Sequence, residues 1–246
     1  MSAFEDELAA NFAKFSTEWK QQASENVKAL EGNKFYLESY RRISALNGIK
    51  HDIIMPNLSP DSASFFFEAH NDTLVSHVNA SVGAWRSSLK ALRSFIENCL
   101  AALYYKDHPI ELELWGQGKF RIGFTDLTKY FLDHPHLQGV PAALSGLEAI
   151  KEEYATLSQA VHGSAASFRM TDSAAEILLW KTEAAKIGMW ATRERKTIES
   201  VVLLIVTLYR DKLSATQLPA LRQVLYYAIS ESKRTKLKSE LKITIK

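Results

Sequence analysis

The sequence contains one cysteine, six prolines and ten glycines in 246 residues, and no long apolar run. Each shortage excludes something. A lone thiol, Cys99, forms no disulfide within the chain, so the fold rests on its core rather than on covalent staples. Cys99 sits among Phe95, Ile96, Leu100 and Leu103, which reads as an inert core thiol. Long stretches free of glycine and proline argue against an all-β protein with its many tight turns. The most apolar run, residues 201–208, covers eight positions, whereas a helix crossing a bilayer needs about 20. It reads as a buried helix interior. The opening residues, MSAFEDELAANF, lack the basic segment and apolar stretch of a secretory signal. Together these absences predict a soluble, cytoplasmic protein with no membrane partner.

Charge of either sign is also scarce in net terms: the chain carries +2. Its distribution is uneven. Residues 233–246 hold six basic side chains (Lys233, Arg234, Lys236, Lys238, Lys242 and Lys246) against Glu240. Such an end can touch phosphates or an acidic partner, and it also reads as a solvated, frayed terminus.

What is present is apolar periodicity. Hydrophobic residues make up 46% of the chain, enough for a real core. Phe4, Leu8, Phe12, Phe15, Trp19, Val27 and Leu30 recur at helical spacing, followed by Gly32-Asn33 as a break. A second helix is expected over 34–46, with Phe35, Leu37, Ile43 and Leu46 inward and Asn47-Gly48 as its stop. Residues 49–60 read as a loop. Ser59-Pro60-Asp61 then reads as a capped helix start. The helical pattern runs towards 106 with a bend at Gly83.

Ile110, Leu112 and Leu114 alternate with glutamates, and Phe120, Ile122 and Phe124 alternate after Gly118. This predicts a β-hairpin over 110–124. A short helix to Phe131, a loop through Asp133-His134-Pro135-His136 and a helix over 142–168 follow, the last weakened at Gly163. Ser173 and Glu176 have capping-box spacing and open a helical stretch to 212, with a bend at Gly188. Ser214 or Thr216 caps a last helix carrying Leu218, Leu221, Val224, Leu225 and Ile229, and residues 241–245 alternate like a short edge strand. The expected organisation is a helical extension over 1–60, a helical domain with its hairpin over 61–230, and a basic tail over 231–246.

Chemistry-bearing residues concentrate on two helices. Arg86, Arg93 and Glu97 can line one face of the first, since they lie seven and four apart. Ser158 and His162 share a face of the second, and an imidazole exchanges protons near neutral pH. The same residues also serve as plain helix-crossing contacts: an Arg–Glu pair orients two helices, and a histidine bonds a backbone carbonyl or carboxylate. Asp107, His108, Asp133, His134 and His136 are too few and scattered for a metal centre. No phosphate loop, dinucleotide fingerprint, zinc-type cysteine pattern or nucleophile elbow occurs. No metal or cofactor is expected.

The combination Arg93-x-x-x-Glu97-Asn98 in one helix and Tyr154-x-x-Leu-Ser158-x-x-x-His162-Gly163 in a later one resembles the HEPN superfamily over roughly 61–230. That resemblance implies a mostly α fold: an antiparallel helical bundle, here with the inserted hairpin, and often dimeric. Active members are metal-independent ribonucleases of toxin and antiviral systems, and others are inactive binding modules. The active motif has an arginine, then four to six arbitrary residues, then its histidine. Here those positions hold Leu157, Thr156 and Ala155. The expectation is therefore a non-catalytic helical partner or regulatory subunit of a multiprotein assembly, for example a bacterial antiviral one, acting as a homodimer or with other proteins. The alternative is an endoribonuclease using His162 with Glu97 and a cation from Arg93 or Arg86. In that case Arg86, Lys233, Arg234, Lys236 and Lys238 hold the RNA.

Overall fold

Ser2 starts the first helix with a reciprocal cap. Its hydroxyl accepts the Glu5 N–H at 3.3 Å, and the Glu5 carboxylate accepts the Ser2 N–H at 2.6 Å. The computed structural model describes residues 2–162, 183–213 and 218–245. Helix α1, Ala3–Leu30, carries the anticipated stripe, but the stripe does not face a core. Phe4, Leu8, Phe12, Phe15, Trp19 and Val27 are 44–70% exposed, and only Asn26 and Leu30 are buried. Leu30 in the last turn packs with Ala80, Ile187, Trp190 and Ala191.

Gly32, at φ +77°, turns the chain, and the Asn33 side chain caps α2, Lys34–Ile49, by accepting the Phe35 and Tyr36 N–H groups. Phe35 and Leu37 point outward; Ile43 and Leu46 are buried. Asn47-Gly48 does not end the helix. A Cβ on Gly48 would stand 2.8 Å from Val224 Cγ2, so glycine is there to let a neighbouring helix close in. Beyond Ile49 the expected loop is replaced by a wider π turn, Lys50–Ile54, and the single turn α3, Met55–Asn57.

Ser59 caps α4, Pro60–Ser81, with Pro60 at its first position. At Gly83, φ +72°, the helix stops rather than bends, and α5, Trp85–Asp107, runs back antiparallel. The Ser62 hydroxyl donates to Ala102 O at 2.6 Å near one end of this pair, and Ser88 donates to Ser76 O at 2.8 Å near the other.

The β-hairpin expected over 110–124 is absent, and no strand occurs among the described residues. Pro109–Gly116 is helix α6, with Pro109 in the first turn, where its missing N–H costs nothing. A strand needs a partner ladder. Here Ile110 is instead left exposed, while Leu112, Phe120, Ile122 and Phe124 pack on the core edge along a helix and an irregular segment. An eight-residue stretch rich in Glu and Leu satisfies helix and strand periods about equally, and local propensity favoured the helix.

Helix α7, Phe124–Asp133, a 3-10 turn at Pro135–Leu137, and α8, Ala142–Ser145, lead to Gly146, which turns the chain at φ +75° into α9, Leu147–His162. Helix α10, Ala184–Leu208, passes straight through Gly188 and forms the centre of the core: Ile198 and residues 201–206 are almost wholly buried. A 3-10 turn at Arg210–Leu213 ends this stretch, followed by α11, Pro219–Ala228, and α12, Glu231–Leu241. The chain end is neither frayed nor a strand. Leu237, Ile243 and Ile245 join the main core, which also takes Ala45, Leu46, Ile49, Ile53 and Ile54 from before residue 60. The expectations at Gly163, Ser173, Glu176, Ser214 and Thr216 fall outside the described residues.

Gly146 is the tightest backbone contact. A Cβ there would lie 2.1 Å from the Ser200 carbonyl oxygen, and the residue is left-handed as well. Gly146→Ala is expected to destabilise the protein by about 2 kcal/mol or more, read from urea denaturation, because α8 and α10 must part and the backbone is strained.

Candidate functional site

Helices α5 and α9 pack antiparallel, and their polar residues meet as the sequence suggested only in part. The Arg93 guanidinium stands 3.2 Å from Glu97 and donates to the Tyr154 hydroxyl at 2.8 Å. That hydroxyl donates in turn to Glu97 at 2.6 Å. Arg93 also lies 4.9 Å over the Tyr154 ring, whose other neighbour is Phe124, stacked at 3.5 Å. Burial first, then the Glu97 carboxylate, raise the Tyr154 pKa, so the phenol stays a neutral donor. The Arg–Glu pair is thus closed by a tyrosine.

His162 is elsewhere. It is an exposed residue in the last turn of α9, eight positions and about 12 Å along the axis from Tyr154. Arg86, also exposed, donates to Ala160 O at 3.3 Å. Antiparallel packing therefore places His162 at the Arg86 end of α5 and leaves Arg93 and Glu97 two turns away. Of the four residues proposed for RNA cleavage, the geometry joins Arg93 with Glu97, and brings Arg86 towards the helix end that carries His162.

The basic residues of the chain end divide in use. Lys233 donates to Ala143 O, and Arg234 donates to Tyr226 O at 2.9 Å and Ile229 O at 2.6 Å. Lys236 and Lys238 are exposed. Both Lys233 and Arg234 are fasteners of α12, donating hydrogen bonds to carbonyls on neighbouring segments.

The scattered histidines do converge. Asp107 accepts from Tyr130 at 2.8 Å and from Lys106 at 2.9 Å, and His134 Nε2 lies 3.5 Å from it. The His136 N–H donates to His134 Nδ1, so the proton of His134 is on Nε2, facing Asp107. Burial lowers the His134 pKa, partly offset by Asp107. Among the described residues no group of three histidine, cysteine or carboxylate side chains is placed to hold a metal ion.

A second polar cluster, not anticipated above, is buried between α2, α4, α5 and α10. Arg42 reaches Glu194 through Nε at 2.7 Å and through a terminal nitrogen at 2.6 Å. Ser39 donates to Glu194 at 3.1 Å and accepts from His77 Nδ1 at 2.9 Å. The His77 ring stacks on Tyr36 at 3.7 Å. Trp190 donates to the Ser76 hydroxyl, which lies 3.0 Å from that of Ser88. Serine, histidine and glutamate in contact invite comparison with a nucleophilic triad, but the order is wrong. Ser39 sits between imidazole and carboxylate, and its side chain has no exposure to solvent. The cluster is a clamp. A cue existed in Arg42, a charged residue at a position whose neighbours by helical spacing, Leu46 and Ile49, are core.

Helix α1 presents an apolar surface. Its six exposed apolar side chains run the length of a helix of about 42 Å. Monomeric proteins rarely leave such contiguous apolar surface in water. No helix among the described residues is long and apolar enough to cross a membrane.

No protein-family model matches the sequence, and no curated protein or solved structure is significantly similar to it. The resemblance to the HEPN superfamily therefore rests on the spacing of Arg93, Glu97, Tyr154 and His162 alone.

Two groups near the α4 seam make opposite contributions to stability against pH. Burial, reinforced by Arg42, lowers the His77 pKa to about 4 from 6.5. The folded state therefore binds fewer protons than the unfolded state between these values, and stability falls as pH drops through that window. Burial raises Asp72 to about 6 from 3.8, with Glu68 and Glu97 adding to the shift against the Asn98 hydrogen bond. Its contribution is lost as pH rises across nearly the same window. Asp72→Asn should steepen the gain in stability between about pH 4 and 6, and His77→Gln should reverse its slope. Urea denaturation of each variant across this range checks the pair; slopes parallel to the unaltered protein would contradict it.

Proposed function

We propose that this chain is a non-catalytic helical subunit of a protein assembly, and that α1 is its docking helix. The observation that carries this reading is the exposed stripe of Phe4, Leu8, Phe12 and Trp19 on a helix anchored to the body through its last turns. Burying a large apolar side chain is worth roughly 1.5–3 kcal/mol, and a folded protein that leaves several of them in line has a surface suited to a partner.

The partner this helix fits best is a second copy. Residues 3–13 carry Glu5, Asp6 and Glu7 and no base, whereas residues 14–30 carry Lys14, Lys20 and Lys28 against Glu18 and Glu25. Antiparallel pairing of two α1 helices sets the acidic half of each along the more basic half of the other, with the two stripes facing. A two-fold arrangement of this kind closes on itself. The ribonuclease reading has less behind it, because Tyr154 occupies the place beside Arg93 and Glu97 that an imidazole would need.

The full chain is expected to sediment as a dimer at tens of micromolar. A double variant, Leu8→Asp with Phe12→Asp, should sediment as a monomer that keeps its helical content by circular dichroism, since neither side chain belongs to the core, and its thermal midpoint should fall only by what dimerisation contributes. A dimer that survives the double substitution removes α1 as the seam, and an unaltered chain that is monomeric near 100 μM removes self-association itself.

A further inference from the structure

Where α2, α10, α11 and α12 meet there is an open pocket of about 300 Å³, at the lower end of the volumes that hold small ligands. Arg41, Arg42, Arg195 and Arg234 line it, together with Tyr226 and Tyr227. Glu38 is the one carboxylate among its lining residues. Arg42 is spent on Glu194 behind the wall. That leaves three guanidinium groups against one carboxylate. Arg41 and Arg195 form no ion pair with a carboxylate among the described residues.

The two rings are half exposed, and each already has a guanidinium nearby: Arg234 lies 3.8 Å from the Tyr226 ring centre and Arg41 lies 5.3 Å from that of Tyr227. Arg234 is also fixed by its bonds to Tyr226 O and Ile229 O, so the cation above that ring is held in place before any ligand arrives. Guanidinium forks match the oxygens of a phosphate two at a time. Open tyrosine faces beside them suit a flat heterocycle. Neither feature alone names a ligand. Side by side on one wall they fit an anion and an aromatic base carried on one molecule.

We propose that this pocket binds a nucleotide, with its phosphate between Arg41 and Arg195 and its base against Tyr227, supplied either as a free nucleoside monophosphate or as the phosphorylated end of a single-stranded RNA. The site lies where α11 ends and α12 begins, and it does not depend on how α1 associates. Its function is recognition: no bond is made or broken.

Titration calorimetry of the full chain with inorganic phosphate, adenosine monophosphate, a 5′-phosphorylated RNA hexamer and a polyglutamate peptide tests this. The monophosphate should bind more tightly than phosphate. Arg41→Gln and Arg195→Gln should each weaken it by about tenfold, the loss expected for one charge-assisted contact, with thermal midpoints unchanged because both side chains are exposed and unpaired with acid. Tyr227→Leu should weaken the monophosphate and leave inorganic phosphate untouched. Tighter binding of the hexamer than of the monophosphate assigns the source to RNA ends; the reverse assigns it to free nucleotide. The proposal is overturned by absence of binding at millimolar monophosphate and hexamer, by binding that both arginine variants leave intact, or by polyglutamate binding as tightly as the monophosphate.

Discussion

Arg42 and Glu194 meet at 2.6 Å with almost no contact with water, and the arrangement of the surrounding helices follows from that contact. Taking two charges out of water costs several kcal/mol each, and the pair recovers this only when the geometry is good and the remaining polar atoms are satisfied. Here they are. Ser39 covers the second carboxylate oxygen, His77 covers Ser39, and the stacked Tyr36 ring holds His77. An apolar contact between α2 and α10 would tolerate a shift along the axis. An ion pair with these bonds does not, because a slip of one residue would leave a buried charge alone. The register of α2 on α10, and of α4 on both, is thereby fixed.

The same reasoning explains why α5 and α9 join different residues from those the sequence suggested. Helical spacing says which residues share a face of one helix; it says nothing about which residue of a second helix lies opposite. Antiparallel packing pairs early positions of α5 with late positions of α9, so Arg86 meets Ala160 and Arg93 meets Tyr154. His162 comes eight residues after Tyr154 and passes the Arg93–Glu97 pair by two turns. A phenol between guanidinium and carboxylate gives both charges a neutral hydrogen-bonding neighbour, a stable ending for a half-buried pair rather than a reactive one.

Local signals were readable where one short-range interaction decides the outcome. The Ser59-Pro60-Asp61 start, the Gly32-Asn33 break and the buried run at 201–208 each depend on a cap, a positive φ or a concentration of apolar area. Signals that depend on a distant partner were not. Gly48 looks like a helix stop, yet its role is set by Val224 from α11. The alternation at 110–114 looks like a strand, yet no strand occurs among the described residues to pair with it and Pro109 starts a helix instead. The stripe on α1 was legible as a stripe, while its exposure was not, since periodicity reports that a face is apolar and is silent on what covers it. Leu237, Ile243 and Ile245 are too sparse among lysines to announce that the chain end is core.

The clamp also sets what the surface presents. Arg41 precedes Arg42 on α2, and Arg195 follows Glu194 on α10. Successive residues on a helix point about 100° apart, so anchoring Arg42 and Glu194 inward turns both neighbours towards the pocket mouth that α11 and α12 complete. One interaction inside the protein therefore does two things. It locks three helices in register, and it sets Arg41 and Arg195, which form no ion pair among the described residues, beside the same small volume as two half-exposed tyrosine rings.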